Sequence, residues 1–307
     1  AEPDHLPAPA AGSSHPAVPV RPDEESGVRR RISPAARRHA EELGVDLAGV
    51  TGTGPLETVT LADVDRAATA PSRPEPPRVE AATPAERQAL MRQAIAAAMS
   101  RSKREIPHYY LSETVPMARA VEWLTTQNAG RPITERVLMA VVQLKAVARA
   151  LADFPQLNGF FVEGSFRPEP VAHLGVAIAL RQGGLVAPAL HDVAAKDLPT
   201  LMRELADLVA RARAASLRSS ELSDATITVT NLGDQGVESV FGIITPPQVA
   251  LVGFGRVAPR PFVTEAGLAA VPTVTASLAA DHRVSDGHTG ALFLASLHDW
   301  LQRPEDL

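Results

Sequence analysis

The chain has 307 residues, 45% apolar and 21% charged, with a formal net charge of -5 and no cysteine. Such a length allows about two domains with a sizeable core in the larger one, and the negative charge argues against nucleic acid or anionic membrane as main partners. The missing cysteines exclude disulfides, thiolate metal sites and a cysteine nucleophile, in keeping with a cytoplasmic protein, and no apolar run reaches membrane-spanning length.

Ala1 rather than methionine opens the chain, so an upstream segment is expected. Residues 1–28 are rich in Ala, Pro and Ser without apolar periodicity and read as a disordered linker. Residues 69–82 form a second linker, and residues 29–68 are a short island between the two. In the island Ser33 is placed to cap a helix that starts with Pro34 and stops at Gly44. Thr60 with Asp63 three residues on predicts a capping box for a second short helix through Val64. Gly52-Thr53-Gly54-Pro55 resembles a phosphate loop, but no strand precedes it and proline follows, so it reads as a tight turn. Two short helices around a loop suit a docking module better than an enzyme.

From residue 83 the pattern changes. Thr83, Pro84 and Glu86 mark a helix start, after which Leu90, Met91, Ala94, Ile95, Ala98 and Met99 recur at helical spacing. A strand over 109–115, a long apolar-faced helix over 133–151 and a buried strand over 174–180 follow. Next come a helix over 198–214, strands over 226–230, 248–253 and 273–278, and a last helix over 287–301. Helices and strands mixed without strict alternation predict an α+β domain over 83–307.

The last expected strand runs into Asp281-His282-Arg283-Val284-Ser285-Asp286-Gly287. Histidine takes and returns a proton near neutral pH, and a strand ending in His-x-x-x-Asp-Gly offers a base with a carboxylate to orient it, a layout for acyl transfer. The same residues also read as a surface histidine in a strand-to-helix turn with Asp286 as helix cap. Acyl transfer further needs a donor where the oxyanion forms. The candidate is Thr230, where the strand Thr228-Val229-Thr230 breaks into Asn231-Leu232-Gly233; an ordinary strand threonine before a turn is the alternative. A metal site built on His282, Asp286 and His288 is disfavoured, because offsets of four and six do not share a helix face. His108 and His173 sit at strand starts and read as structural.

These stretches carry a resemblance. Residues 92–103 with Ile106-Pro107-His108-Tyr109-Tyr110, Gly184-Leu185-Val186-Ala187-Pro188, residues 228–233, Ile244-Thr245-Pro246-Pro247-Gln248-Val249-Ala250 and residues 281–287 resemble, in order, the dihydrolipoyl acyltransferases of 2-oxoacid dehydrogenase complexes. Residues 32–64 resemble the peripheral subunit-binding domain of the same proteins. The resemblance implies a chloramphenicol-acetyltransferase-like catalytic domain, a mixed sheet flanked by helices. It implies acyl transfer, acetyl favoured, between dihydrolipoamide and coenzyme A, with His282 as general base, Thr230 as oxyanion donor and Asp286 as orienting residue. It also implies coenzyme A as substrate, and His282 and Thr230 drawn from different subunits of a homotrimer or larger cage. Thioester exchange is nearly isoenergetic and calls for no metal, and Arg101, Lys103 and Arg104 are candidates for the coenzyme A phosphates because cations suit phosphate recognition. A solvated helix end is the other reading of those three cations.

Two departures stand out. The lysines, Lys103, Lys145 and Lys196, do not lie in an Asp-Lys-Ala turn, so the lipoyl group is expected from a domain outside this chain. Where the family's docking domain has Gly-Gly-Arg-(Ile/Val)-Thr-Lys, this chain has Leu56, Glu57, Thr58, Val59, Thr60 and Leu61. Docking to the 2-oxoacid decarboxylase or dihydrolipoamide dehydrogenase then falls to Arg29, Arg30, Arg31, Arg37 and Arg38. Two alternatives stay open: a weakly active scaffold subunit, which retention of His282 and Asp286 argues against, and a free-standing acetyltransferase on a small hydroxyl or amine, which the docking island argues against.

Overall fold

The computed structural model describes residues 31–69, 83–181 and 183–307. The expected linkers over 1–28 and 69–82 lie, apart from Thr69, outside the described residues. Contacts divide the chain into two compact units, Ala1–Glu80 and Ala81–Leu307, each with its own apolar core.

In the first unit α1 (Pro34–Leu43) and α2 (Leu61–Thr69) enclose Ala36, Ala40, Val50, Val59 and Val64. Ser33 Oγ accepts from the Ala36 amide at 3.2 Å, and α1 ends at Gly44 in the left-handed conformation, where glycine has no Cβ to clash. Only half of the expected box forms, because the Thr60 hydroxyl donates to the Asp63 carboxylate and the Asp63 amide goes to the Thr60 carbonyl instead. The Asp63 carboxylate accepts from the Thr60 amide and hydroxyl at 3.0 and 2.9 Å, but also from the Thr53 amide and hydroxyl, ten residues back, at 2.9 and 2.7 Å. Arg66 Nη1 adds a contact at 3.1 Å. The Thr53 amide, which a phosphate would need, is thus spent on the chain's own carboxylate, and the glycine loop is a turn.

The Thr53 and Thr60 donors hold the Asp63 carboxyl far below the usual carboxylate range. A group with a depressed native pKa stabilises the fold above its unfolded pKa, near 4, and loses that contribution as pH falls toward the native value. Amide exchange within residues 31–69 should therefore accelerate as pH drops below about 4 beyond its intrinsic pH dependence. At neutral pH Asp63→Ala should accelerate it by roughly tenfold or more, with exchange in residues 83–307 unchanged; hydrogen-exchange mass spectrometry reads both.

The second unit opens with α3 (Pro84–Glu105), capped as expected: the Thr83 amide donates to Glu86 at 2.7 Å and the Glu86 amide to the Thr83 hydroxyl at 3.3 Å. Then come β1 (His108–Pro116), α4 (Ala118–Asn128), α5 (Met139–Leu151), β2 (Gly159–Val162), β3 (Ser165–Pro168), β4 (Leu174–Val176) and β5 (Ile178–Ala179). β6 (Leu185–Val186), β7 (Ala189–Leu190), α6 (Leu198–Arg213), α7 (Ser219–Ser223) and β8 (Ile227–Asn231) follow. The chain ends through β9 (Ala250–Phe254), β10 (Ala258–Thr264), β11 (Gly267–Asp281) and α8 (Gly287–Gln302).

Three expectations differ from what is observed. The helix expected from 133 begins at Met139, because the Asn128 side chain bonds both the Val137 amide and carbonyl at 2.9 Å and holds that approach extended. The strand expected over 174–180 is two. β4 pairs with β7 and β8, whereas β5 leaves the main sheet and forms a hairpin with β6 across Gly183 and Gly184, both at positive φ. The strand expected over 273–278 is the 15-residue β11, prolonged because both of its edges are paired.

The main sheet is mixed, in the order β1-β11-β9-β8-β4-β7, with β10 following β9 along one edge of β11. Strand alternation gives it two unlike faces. Val229, Val252, Leu278 and Leu111 lie on one, in register across four strands, where Phe293, Leu294 and Leu297 of α8 and the apolar side of α5 complete the core. Thr230, Gly253, Ser277 and Ser112 lie on the other. That face is polar and partly open: Tyr110, Ser112 and Thr114 of β1 are exposed. Among the described residues no helix is long and apolar enough to cross a membrane.

Candidate active site

His282 follows the last residue of β11, in a turn that closes before α8. The turn is built on Asp281, whose side chain is fully buried. It accepts from the Arg283 amide at 3.0 Å, and the Arg283 guanidinium forks it with Nε at 3.0 and 3.1 Å and Nη2 at 2.6 Å. The guanidinium also lies 4.0 Å over the Phe161 ring. The amides of Val284 and Ser285 return to the Asp281 carbonyl at 3.0 and 3.1 Å, and the His282 amide donates to the Pro107 carbonyl at 3.0 Å. A buried carboxylate is tolerated when it is paired and hydrogen-bonded, and here its pairing shapes the turn that presents the histidine.

The His282 ring is exposed, stands edge-on to Tyr109 at 5.4 Å between centroids, and makes no hydrogen bond among the described residues. Asp286 is the N-cap of α8, accepting from the Thr289 amide at 2.9 Å. That bond and the Thr289 hydroxyl hold its carboxyl below the usual carboxylate range. Its carboxylate therefore fixes the backbone after the turn, while the imidazole has no hydrogen bond from it. Thr230 is half-buried on β8, its hydroxyl unbonded among the described residues.

The structure does not bring Thr230 and His282 together within one copy. Thr230 pairs with Gly253, and Gly253 with Ser277, which places Thr230 two strands from β11 and four residues short of Asp281. At about 4.8 Å per strand and 3.3 Å per residue the backbones of Thr230 and Asp281, the residue before His282, are roughly 16 Å apart. Of the candidate phosphate ligands, Arg101 pairs with Glu105 at 2.9 Å and Lys103 donates to the Tyr110 hydroxyl at 2.6 Å, while Arg104 is exposed. Arg101 and Glu105 line a cleft of about 440 Å³ with Phe161, Pro247, Gln248 and Arg283. His108 is held at both nitrogens, Nδ1 to the Ile106 carbonyl and Nε2 to the Ile244 amide at 2.8 and 3.1 Å, and burial lowers its pKa. His173 Nδ1 accepts from the Asp192 amide at 3.1 Å.

Sequence reasoning assigned no role to Asp281 or Arg283. The available signal was an acidic residue ending an apolar run, Leu278-Ala279-Ala280, with a cation two positions on. Removing Asp281 strands the Arg283 charge. Asp281→Ala should lower stability by roughly 2–4 kcal/mol, toward the lower end because Arg283 is one-third exposed. Denaturant unfolding of the whole chain measures it.

Residues 81–307 match the family model described as 2-oxoacid dehydrogenases acyltransferase (catalytic domain), and residues 30–65 match one described as e3 binding domain. The dihydrolipoyllysine-residue acetyltransferase component of the pyruvate dehydrogenase complex of Zymomonas mobilis is 31% identical over 92% of this chain and 67% of that protein. The lipoamide acyltransferase component of the branched-chain alpha-keto acid dehydrogenase complex of Pseudomonas aeruginosa is 31% identical over 94% of this chain and 69% of that one. The chain spans 55% of a related acetyltransferase component of Arabidopsis thaliana and 71% of a lipoamide acyltransferase component of Bacillus subtilis. The solved dihydrolipoamide acetyltransferase of Azotobacter vinelandii superposes with a TM-score of 0.67 and 25% identity, over 76% of this chain and all of that one.

Proposed function

We propose that this chain, which belongs to the 2-oxoacid dehydrogenase acyltransferases, moves an acyl group between dihydrolipoamide and coenzyme A at a site shared by two of its copies. The observation that carries the shared site is the register of the main sheet. His282 has to reach the attacking thiol and Thr230 the oxyanion of the same tetrahedral centre, and within one copy the ladder holds their backbones roughly 16 Å apart, with no contact between the two side chains among the described residues. Supporting it, the Thr230 hydroxyl is half-buried and without a hydrogen bond among the described residues, and Leu90 and Ile95 of α3 are exposed apolar residues that a neighbouring copy would cover. In the Azotobacter vinelandii enzyme a serine, a histidine and an asparagine were studied for their catalytic roles, and they are spaced in sequence as Thr230, His282 and Asp286 are here.

In this mechanism His282 removes the proton from the attacking thiol, whose pKa near 8–9 leaves it mostly protonated at neutral pH. The sulfur adds to the thioester carbonyl, and the oxyanion accepts a hydrogen bond from the Thr230 hydroxyl of the neighbouring copy. Collapse expels the other thiol, which takes the proton back from His282. Asp286 contributes through the helix start that follows the turn. Lys103 and Arg104 are the candidate contacts for coenzyme A phosphates. A homotrimer is the smallest ring in which every copy can give Thr230 to one neighbour and His282 to the other. Acetyl is the favoured acyl group. The lipoyl group comes from a separate domain, and residues 29–68 dock the decarboxylase or dihydrolipoamide dehydrogenase, placing the chain in a cytoplasmic multienzyme complex.

His282→Ala should lower acyl transfer between acetyl-coenzyme A and dihydrolipoamide by roughly a hundred- to ten-thousandfold. Thr230→Ala should lower it by about a hundred- to a thousandfold, with Thr230→Ser near wild type. Co-expressing the two inactive variants as mixed trimers tests the sharing: random assembly leaves about one site in four with both groups intact, so about a quarter of wild-type activity should return. No recovery in verified mixed trimers would refute the shared site. Comparing acetyl- with isobutyryl-coenzyme A tests the acyl group, acetyl being expected to show the higher kcat/KM.

A further inference from the structure

No step of the acyl transfer uses residues 106–110, yet this stretch touches the 281–285 turn at three points. The Pro107 carbonyl receives the His282 amide, the Tyr109 ring meets the imidazole, and the Tyr109 hydroxyl shares a 2.9 Å hydrogen bond with Ser285 Oγ. We infer that Tyr109 is a positioning residue that fixes the orientation of the His282 ring; the inference rests on His282 being the base.

The imidazole is exposed and has no hydrogen bond among the described residues to select its rotamer. Tyr109 is the aromatic ring against it, with an interplanar angle of 71°. The quadrupoles of two aromatic rings favour such an edge-to-face arrangement over face-to-face stacking. Tyr109 is itself held on several sides. Its backbone pairs with Ala280, its hydroxyl bonds Ser285, and its ring lies against α8 at Gly290, where a Cβ would come within 2.9 Å of Cε2. Ser285 is buried at the far end of the turn that begins with His282. One side chain therefore braces the turn twice, the imidazole with its ring and Ser285 with its hydroxyl. Asp286 has its carboxylate on the Thr289 amide and holds the helix start.

The test is steady-state kinetics on the intact assembly with acetyl-coenzyme A and dihydrolipoamide. Tyr109→Leu should lower kcat by about ten- to a hundredfold, the scale of a misplacement near one ångström, while both KM values stay within about twofold. Tyr109→Phe keeps the ring and should restore kcat to within about fivefold of wild type. On a His282→Ala background Tyr109→Leu should cause no further loss. Near-normal kcat in an assembled Tyr109→Leu protein, or an equal loss on the His282→Ala background, overturns the inference. Should Tyr109→Leu fail to assemble, Tyr109→Phe and Ser285→Ala decide. They remove one shared contact, so their losses should be alike and the double variant no worse; fully additive losses overturn the inference. An active His282→Ala protein would instead remove the base itself. An inactive His282→Ala beside an active Tyr109→Leu would spare the base and remove only the role of Tyr109.

Discussion

The hydrogen-bonded ladder from β8 through β9 to β11 is the constraint on which the catalytic unit depends. A paired sheet cannot slide by one residue without turning its core side chains outward. The register therefore fixes the Thr230 backbone two strands away from the end of β11. In the proposed acyl transfer, that separation is what a site shared with a second copy bridges. The open β1 end of the polar sheet face and the exposed apolar residues of α3 fit the same conclusion. In a lone copy both would be unusual, since a sheet face and an amphipathic helix ordinarily find cover.

A second theme is where the charge at the site goes. The conspicuous carboxylates of the signature do not contact the imidazole by hydrogen bonds. Asp281 is consumed by Arg283 and by the backbone of the turn, and Asp286 by the first turn of α8. Each shapes the main chain that carries His282, leaving the ring itself to an aromatic neighbour. The imidazole is thus carried by backbone geometry with Tyr109 edge-on to it, and the ring has no hydrogen bond among the described residues. The first unit uses the same device on a smaller scale: Asp63 gathers two threonines and an arginine and so closes a loop whose core is only a handful of small side chains.

Local signals decided what the sequence alone could establish. Ser33, the pair Thr83 and Glu86, and the Gly44 stop are contained within four residues of the helix ends they mark, so they were legible and the helices begin or end there. Helical periodicity located α3, α6 and α8, and the residues of the signature pointed to the family because their order along the chain is itself the information. The approach to α5 departs from the hydrophobic pattern because Asn128 grips Val137 from nine residues away, which no window of hydrophobicity registers.

Tertiary structure decided which edges and faces met. The 174–180 run reads as one buried strand, but only the first three residues find a place between β7 and β8. The length of β11 follows from three strands bonding its two edges. Asp63 reaching Thr53, and Tyr109 reaching both His282 and Ser285 across some 170 residues of chain, depend on pairings that no short-range pattern encodes. Sequence named Thr230 and His282 because each residue's chemistry is its own. The distance between them belongs to the sheet, since it is set by the register of strands far apart in the chain.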